Sequence, residues 1–192
     1  MLSVRQAVLW LCCPLMLATQ APAQSLPGLP PDWDISVIIG EIGAHATRLG
    51  PALDRLNAKA WTDKGASETY ASQLQSAKDQ ARSLAQDATA LKANPEKLSA
   101  LLEVYFRIHA LEQLIGSLVD GARKYQDSAV AGDLASLAAE NDGNRNRLQT
   151  YIITLATQRE QECAVMDREA QRCRAAVATQ PPPNALKRGG KK

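Results

Sequence analysis

Apolar residues between positions 70 and 91 recur at alternating steps of four and three. They are Tyr70, Leu74, Ala77, Ala81, Leu84, Ala88 and Leu91. Such steps return to the same side of an α-helix, which has about 3.6 residues per turn. Large and small side chains alternate along this heptad stripe, which lets a neighbouring helix approach closely, as in a coiled coil. The pattern therefore predicts a helix that buries one face against other helices.

The same period continues along most of the chain. Four helices are predicted, at 34–60, 68–93, 95–126 and 128–177. Strand-like alternation is missing from the sequence, and scarce aromatic residues with abundant alanine favour helix. Short connections between long helices leave only antiparallel neighbours. We therefore expect an all-α, up-down-up-down antiparallel bundle, in which Gly50-Pro51 kinks or briefly interrupts the first helix.

The last predicted helix is either unusually long or broken near residues 140–144. Gly143 and the neighbouring asparagines favour a break, whereas the apolar stripe keeps one phase across them, which favours continuity. We expect the continuous helix, with its part from about residue 158 extending beyond its shorter partners. Asn141 and Asn144 are then buried polar residues that set helix register, or else caps at a break.

The first 23 residues have the organisation of a secretory signal peptide. Arg5 precedes a 12-residue apolar core, and the small residues Ala21 and Ala23 follow it. This pattern predicts cleavage between Ala23 and Gln24, and hence a periplasmic or secreted protein. The core is too short to span a membrane, and elsewhere none of the apolar runs approaches the ~20 residues of a transmembrane helix.

Cleavage would leave 192 − 23 = 169 residues, enough for one domain. Residues 24–33 are rich in proline and predict a disordered leader, 34–177 form the bundle, and 178–192 form a disordered tail. Loss of Arg5 lowers the formal net charge from +2 to +1, and four tail cations leave 1 − 4 = −3 for the rest of the chain. Such a body does not predict a nucleic-acid partner, although the basic tail could contact anionic surfaces weakly.

Motifs for catalysis, cofactors or metals are missing from the sequence. Nucleophile elbows, phosphate-binding glycine loops, dinucleotide fingerprints and haem-attachment motifs do not occur. Glu41 stands four residues before His45, and His109 stands three residues before Glu112, so neither pair forms the Glu-x-x-His motif of a di-iron bundle. We therefore expect neither an enzyme nor a bound metal or cofactor.

One polar layer is a candidate ligand-binding site. Reflecting positions through the predicted turns near 63, 94 and 127 places four residues at similar height: His45, Arg82, His109 and Arg145. Such a layer could accept an anion or a small ligand. The alternative is a set of ordinary salt bridges with nearby glutamates.

Four aromatic residues are expected at the end of the bundle that holds the first turn. They are Trp33, Trp61, Tyr70 and Tyr125. Clusters of this kind cap a core more often than they form a ligand slot, and we interpret this one as a cap.

Cys163 and Cys173 would be the two thiols left after cleavage removes Cys12 and Cys13. On a continuous helix they are ~15 Å apart along the axis, whereas a disulfide needs Cα atoms within about 7 Å. An intrachain bridge and an unbroken helix therefore exclude each other. Three alternatives remain: an intrachain bridge closing a terminal hairpin, bridges between chains, and free thiols.

These observations predict an exported, non-enzymatic helical bundle that acts in protein–protein interaction or in envelope structure. Its partner would be another protein or a second copy, bound through the amphipathic end of the last helix. The alternative function is a periplasmic carrier that holds a small anion, metal or cofactor in the His/Arg layer. A bundle scaffold by itself does not decide between them.

Overall fold

The computed structural model describes residues 34–179, which form six helices and no strand. The helices are α1 Ile35–Asp54, α2 Ala58–Thr62, α3 Thr69–Lys92, α4 Leu98–Tyr125, α5 Ser128–Ala139 and α6 Asp142–Thr179. The predicted all-α bundle is confirmed. The predicted signal peptide with its cleavage site at Ala23 and Gln24, the leader with Trp33, and the tail from residue 180 onward lie outside the described residues.

The long helices run antiparallel to their neighbours along the chain. A Cβ atom at Gly43 of α1 would lie 3.2 Å from that of Ala88 in α3. Near the other end of α1, Asp54 pairs with Lys78 at 2.7 Å, so residue numbers rise along α1 as they fall along α3. The same relation holds for α3 with α4 and for α4 with α6, through the pairs Asp87–Arg107, Gln73–Ser117, Glu112–Arg145 and Glu96–Arg159.

The core is built from one apolar stripe on each long helix. The α3 stripe is buried as its period predicts, at Leu74, Ala77, Ala81, Leu84, Ala88 and Leu91. Helix α4 supplies Leu101, Ile108 and Leu118, which are almost completely buried, and α1 supplies Ile39, Ile42 and Leu53. Burial of these side chains is the main favourable term that holds the bundle together.

Helix α1 continues through Gly50-Pro51, so a brief interruption at that pair is wrong, whereas the alternative of a kink stays a prediction. A proline removes a single intrahelical hydrogen bond, and buried neighbours on both sides keep the helix formed. The chain instead turns at residues 55–57, where the side chain of Asn57 accepts a hydrogen bond from the N–H of Ala60 and caps α2.

An aromatic cluster closes the end of the bundle where α1 gives way to α2. The Trp61 ring meets Tyr70 edge to face at 5.4 Å, and Tyr70 meets Tyr125 in the same way at 6.2 Å. The Trp61 indole N–H donates to the Oε1 atom of Gln126 at 3.0 Å, and the Gln126 amide donates to the Arg55 carbonyl at 2.9 Å. Trp61 is 1% exposed, so this cluster caps the core, in agreement with the prediction.

Gly121 of α4 is required by this cluster, because a Cβ atom there would lie 2.7 Å from the Trp61 ring and 2.8 Å from the Tyr70 ring. We expect Gly121→Ala to lower the free energy of unfolding by about 1–3 kcal/mol, the usual effect of overpacking a core. Gly116→Ala is the matched control on the same helix, since nothing lies within 4 Å of a methyl group added there. The control should gain roughly 0.5–1 kcal/mol from helix propensity. Urea unfolding of both variants checks the difference, and equal effects would contradict the close packing at Gly121.

The continuous last helix is wrong, because the chain turns at Glu140 and Asn141 between α5 and α6. Contacts from α1 stabilise the break: the Nε2 atom of His45 lies 2.8 Å from the Leu137 carbonyl, and Arg48 pairs with Glu140 at 2.6 Å. The side-chain oxygen of Asn141 is buried without a donor among the described residues, so it does not cap α6.

Helix α6 is longer than the bundle that it joins. Its first part carries four buried residues, Leu148, Tyr151, Ile152 and Leu155. From Thr157 to Thr179 the described chain contains no buried residue, and these 23 residues, here called the α6 arm, extend ~34 Å. The predicted extension from about residue 158 is therefore confirmed. Across residues 34–179, the helices lack the combination of length and apolar character that crossing a bilayer requires.

Candidate functional site

His45 lies in the core rather than at a binding surface. It is 6% exposed, and its Nε2–H donates to the Leu137 carbonyl near the end of α5, because a carbonyl can only accept. The other ring nitrogen is buried without a partner among the described residues, as is the side-chain oxygen of Asn141. Both residues line a cavity of about 10 Å³ with Glu112. That volume suits a single water molecule, far below the ~300 Å³ of a small ligand site.

Glu112 of α4 is the centre of the polar layer. The Nη1 atom of Arg145 lies 2.8 Å from both Glu112 carboxylate oxygens, and Nδ1 of His109 lies 3.5 Å from one of them. Arg145 also pairs with Asp142 at 3.3 Å. Hydrogen bonding to Glu112 raises the pKa of the Arg145 guanidinium above its ordinary value. The cation is thus kept charged and is neutralised by carboxylates of the chain itself.

Arg82 does not join this layer. It pairs with Asp79 one turn away at 3.1 Å, and it lines an open groove of about 220 Å³ between α1 and α3 with Lys78 and Asp54. Counting through the turns could not give the side of the helix on which it lies. Of the four predicted layer residues, the structure gathers His45, His109 and Arg145 around Glu112, which the sequence suggested only as a salt-bridge partner.

The layer has the character of a structural polar cluster. Its arginine, Arg145, is paired with Glu112 and Asp142, which is the salt-bridge alternative. In the part of the chain that the structure describes, histidine, cysteine and acidic residues form no group of three or more that could hold a metal ion.

We expect His45→Ala to lower the free energy of unfolding by roughly 2–3 kcal/mol, because it removes a buried hydrogen bond and leaves a cavity beside Leu49 and Ile108. His109→Ala is the control: its side chain is 42% exposed and should change stability by less than about 0.5 kcal/mol. Urea unfolding measures both.

A different result would favour the carrier function: the purified chain would carry a metal or a chromophore, and His45→Ala or His109→Ala would remove it.

Cys163 and Cys173 lie in the α6 arm, where both are exposed and free. The arm is one unbroken helix, so their Cα atoms are ~15 Å apart along its axis and cannot be joined within the chain. The intrachain bridge is therefore wrong. Bridges between chains and free thiols are the two alternatives that fit the structure.

The cysteines belong to an apolar stripe that is missed when the two thiols are considered in isolation. The stripe consists of Cys163, Met166, Ala170, Cys173 and Val177. Its steps of three, four, three and four are the signal that identified α3, and they place all five side chains on one side of the arm. Met166 is 61% exposed and Val177 is 69% exposed, so the arm presents an apolar stripe to solvent.

Charged residues on the arm form ion pairs along it and with the bundle at its base. Arg159 pairs with Glu162 at 2.9 Å on the arm and with Glu96, just before α4, at 3.3 Å. Further along, Arg172 pairs with Glu169 at 2.6 Å. The arm therefore carries ion pairs beside a narrow apolar stripe of the width found in two-stranded coiled coils.

Comparison with protein-family models, with curated proteins and with solved structures finds no match to this chain.

Proposed function

We propose that this chain is an exported, non-enzymatic helical-bundle protein that binds another protein or a second copy through the α6 arm. The observation that carries the proposal is the arm itself, a 23-residue helix without a buried residue that nevertheless keeps an apolar heptad stripe. The N-terminal signal-peptide pattern supports export.

The energetics of a free helix support a partner for the arm. An isolated helix gains little in water, since most helical stability in proteins comes from packing of an amphipathic face. Residues 157–179 have no such packing within the chain. A partner helix laid on the stripe would bury Met166 and Val177 and would stabilise the arm.

The carrier function stays a prediction that the cavity beside His45 does not favour. The cavity beside His45 has room for about one water molecule, and Arg145 is occupied by Glu112 and Asp142. An interaction through the arm requires none of these groups. The layer is therefore better explained as part of what fixes α1 against the junction of α5 and α6.

Ending the chain at Thr157 tests the proposed function. We expect removal of residues 158–192 to abolish self-association and partner capture, because the stripe is lost. The bundle should stay folded, because every buried residue of α6 lies at or before Leu155. Circular dichroism and thermal unfolding check the fold, and sedimentation and pull-down from the envelope fraction check association. Association that is unchanged by the truncation would contradict the proposal.

A further inference from the structure

The stripe on the arm continues the face by which α6 packs on its own bundle. Met166, Ala170 and Cys173 follow the buried residues Leu148, Ile152 and Leu155, each by eighteen positions. Eighteen residues are about five complete turns, so each pair points in the same direction from the helix axis. A helix that covers the stripe must therefore lie on the same side of α6 as the bundle, but beyond the end of the bundle.

This placement decides the orientation of a second copy. If the α6 helix of the second copy ran parallel to that of the first, its N-terminal part would occupy the space that the first bundle fills. An antiparallel copy avoids the clash, because its bundle lies at the opposite end of the paired arms. The continuity of the stripe thus favours an antiparallel pair related by a two-fold axis.

The positions of the cysteines fit the register that antiparallel pairing allows. Full overlap of two arms pairs Thr157 of one with Thr179 of the other and places the two-fold axis at Arg168. Cys163 lies six residues after the first end and Cys173 six residues before the second. In this register Cys163 of each copy faces Cys173 of the other, and Met166 faces Ala170.

Charge along the arm also favours this orientation. Residues 157–167 carry one arginine and three acidic residues, which gives 1 − 3 = −2, whereas residues 169–179 carry two arginines and one acidic residue, which gives 2 − 1 = +1. Antiparallel pairing brings the acidic half of each arm against the basic half of the other. Parallel pairing would bring like halves together.

We propose that two copies of this chain pair through their α6 arms as an antiparallel coiled coil in which Cys163 of each copy faces Cys173 of the other. The proposal rests on the proposed function and names its partner, a second copy. Packed helix axes are ~8–10 Å apart and Cα atoms lie ~2.3 Å from each axis, so directly facing Cα atoms are about 3.4–5.4 Å apart. The upper part of that range overlaps the roughly 4.4–6.8 Å found across disulfides.

Glutathione disulfide supplies the oxidant for a cross-linking test. The Cys163 thiolate attacks glutathione disulfide and releases one glutathione, and the Cys173 thiolate of the second copy then attacks the mixed disulfide and releases the other. One S–S bond forms between the chains for each glutathione disulfide reduced, and the two thiol protons pass to the two glutathione molecules.

The test uses the full chain with Cys12→Ala and Cys13→Ala in every sample, so that no other thiol is present. Cys163→Ser and Cys173→Ser are prepared separately, treated with glutathione disulfide alone and in an equal mixture, and analysed on non-reducing gels. We expect dimers in the mixture and at least about tenfold less in either variant alone, because only the mixture offers facing thiols. Cross-linking of each variant by itself would show a parallel pair and overturn the proposed orientation.

A second measurement separates the stripe from its surroundings. Met166→Glu places a charge in the paired stripe and should weaken self-association, measured by sedimentation, by on the order of tenfold or more. Val165→Glu is the matched control. Val165 immediately precedes Met166 and is 49% exposed, but it lies off the stripe. Equal effects of the two variants would overturn the proposed interface.

The two proposals can fail separately. A full chain that stays monomeric at tens of micromolar overturns the pairing of two copies. If that monomer still captures another protein, and the chain ended at Thr157 does not, the proposed function stands without the dimer. If truncation at Thr157 leaves capture unchanged, the proposed function fails as well.

Discussion

Close approach of α1 and α4 to α3 is the contact on which the bundle depends. The α3 stripe alternates leucine and alanine, and the alanines let neighbouring backbones come near, so that a Cβ atom at Gly43 would lie only 3.2 Å from that of Ala88. Without that closeness the leucines at 74, 84 and 91 could not reach the core formed by α1 and α4. The antiparallel order of the remaining helices follows from short connections on either side of this helix.

Helix boundaries set by local chemistry could be predicted, whereas those set by distant contacts could not. The ends of α3 follow from its stripe, and the structure agrees with the predicted 68–93 within a residue. The break before α6 depends on His45 and Arg48, about ninety residues earlier in the chain. A single sequence does not show that these residues lie beside Leu137 and Glu140, so the phase of the stripe favoured the wrong alternative.

The candidate site shows the same division. Counting residues from the turns estimates the height of a side chain along the bundle, and it placed Arg145 near His109. Counting does not give the rotation of a helix about its own axis, so Arg82 was placed in the layer although it lies elsewhere. His45 was recognisable as a polar residue on an apolar stripe, and its partner is a backbone carbonyl rather than a side chain. The stripe on the arm could have been found from its spacing alone, because steps of three and four are visible without knowledge of any other helix.

The long α6 helix also has a mechanical consequence. Its first part is fixed in the core by Leu148, Ile152 and Leu155, and the pair of Arg159 with Glu96 braces the point where it leaves the bundle. Whatever holds the arm therefore also sets the direction in which the bundle points. Each residue inserted between 156 and 163 would turn the stripe by about 100° around the helix axis. The length of this short segment therefore fixes the angle between the bundle and any partner that binds the stripe.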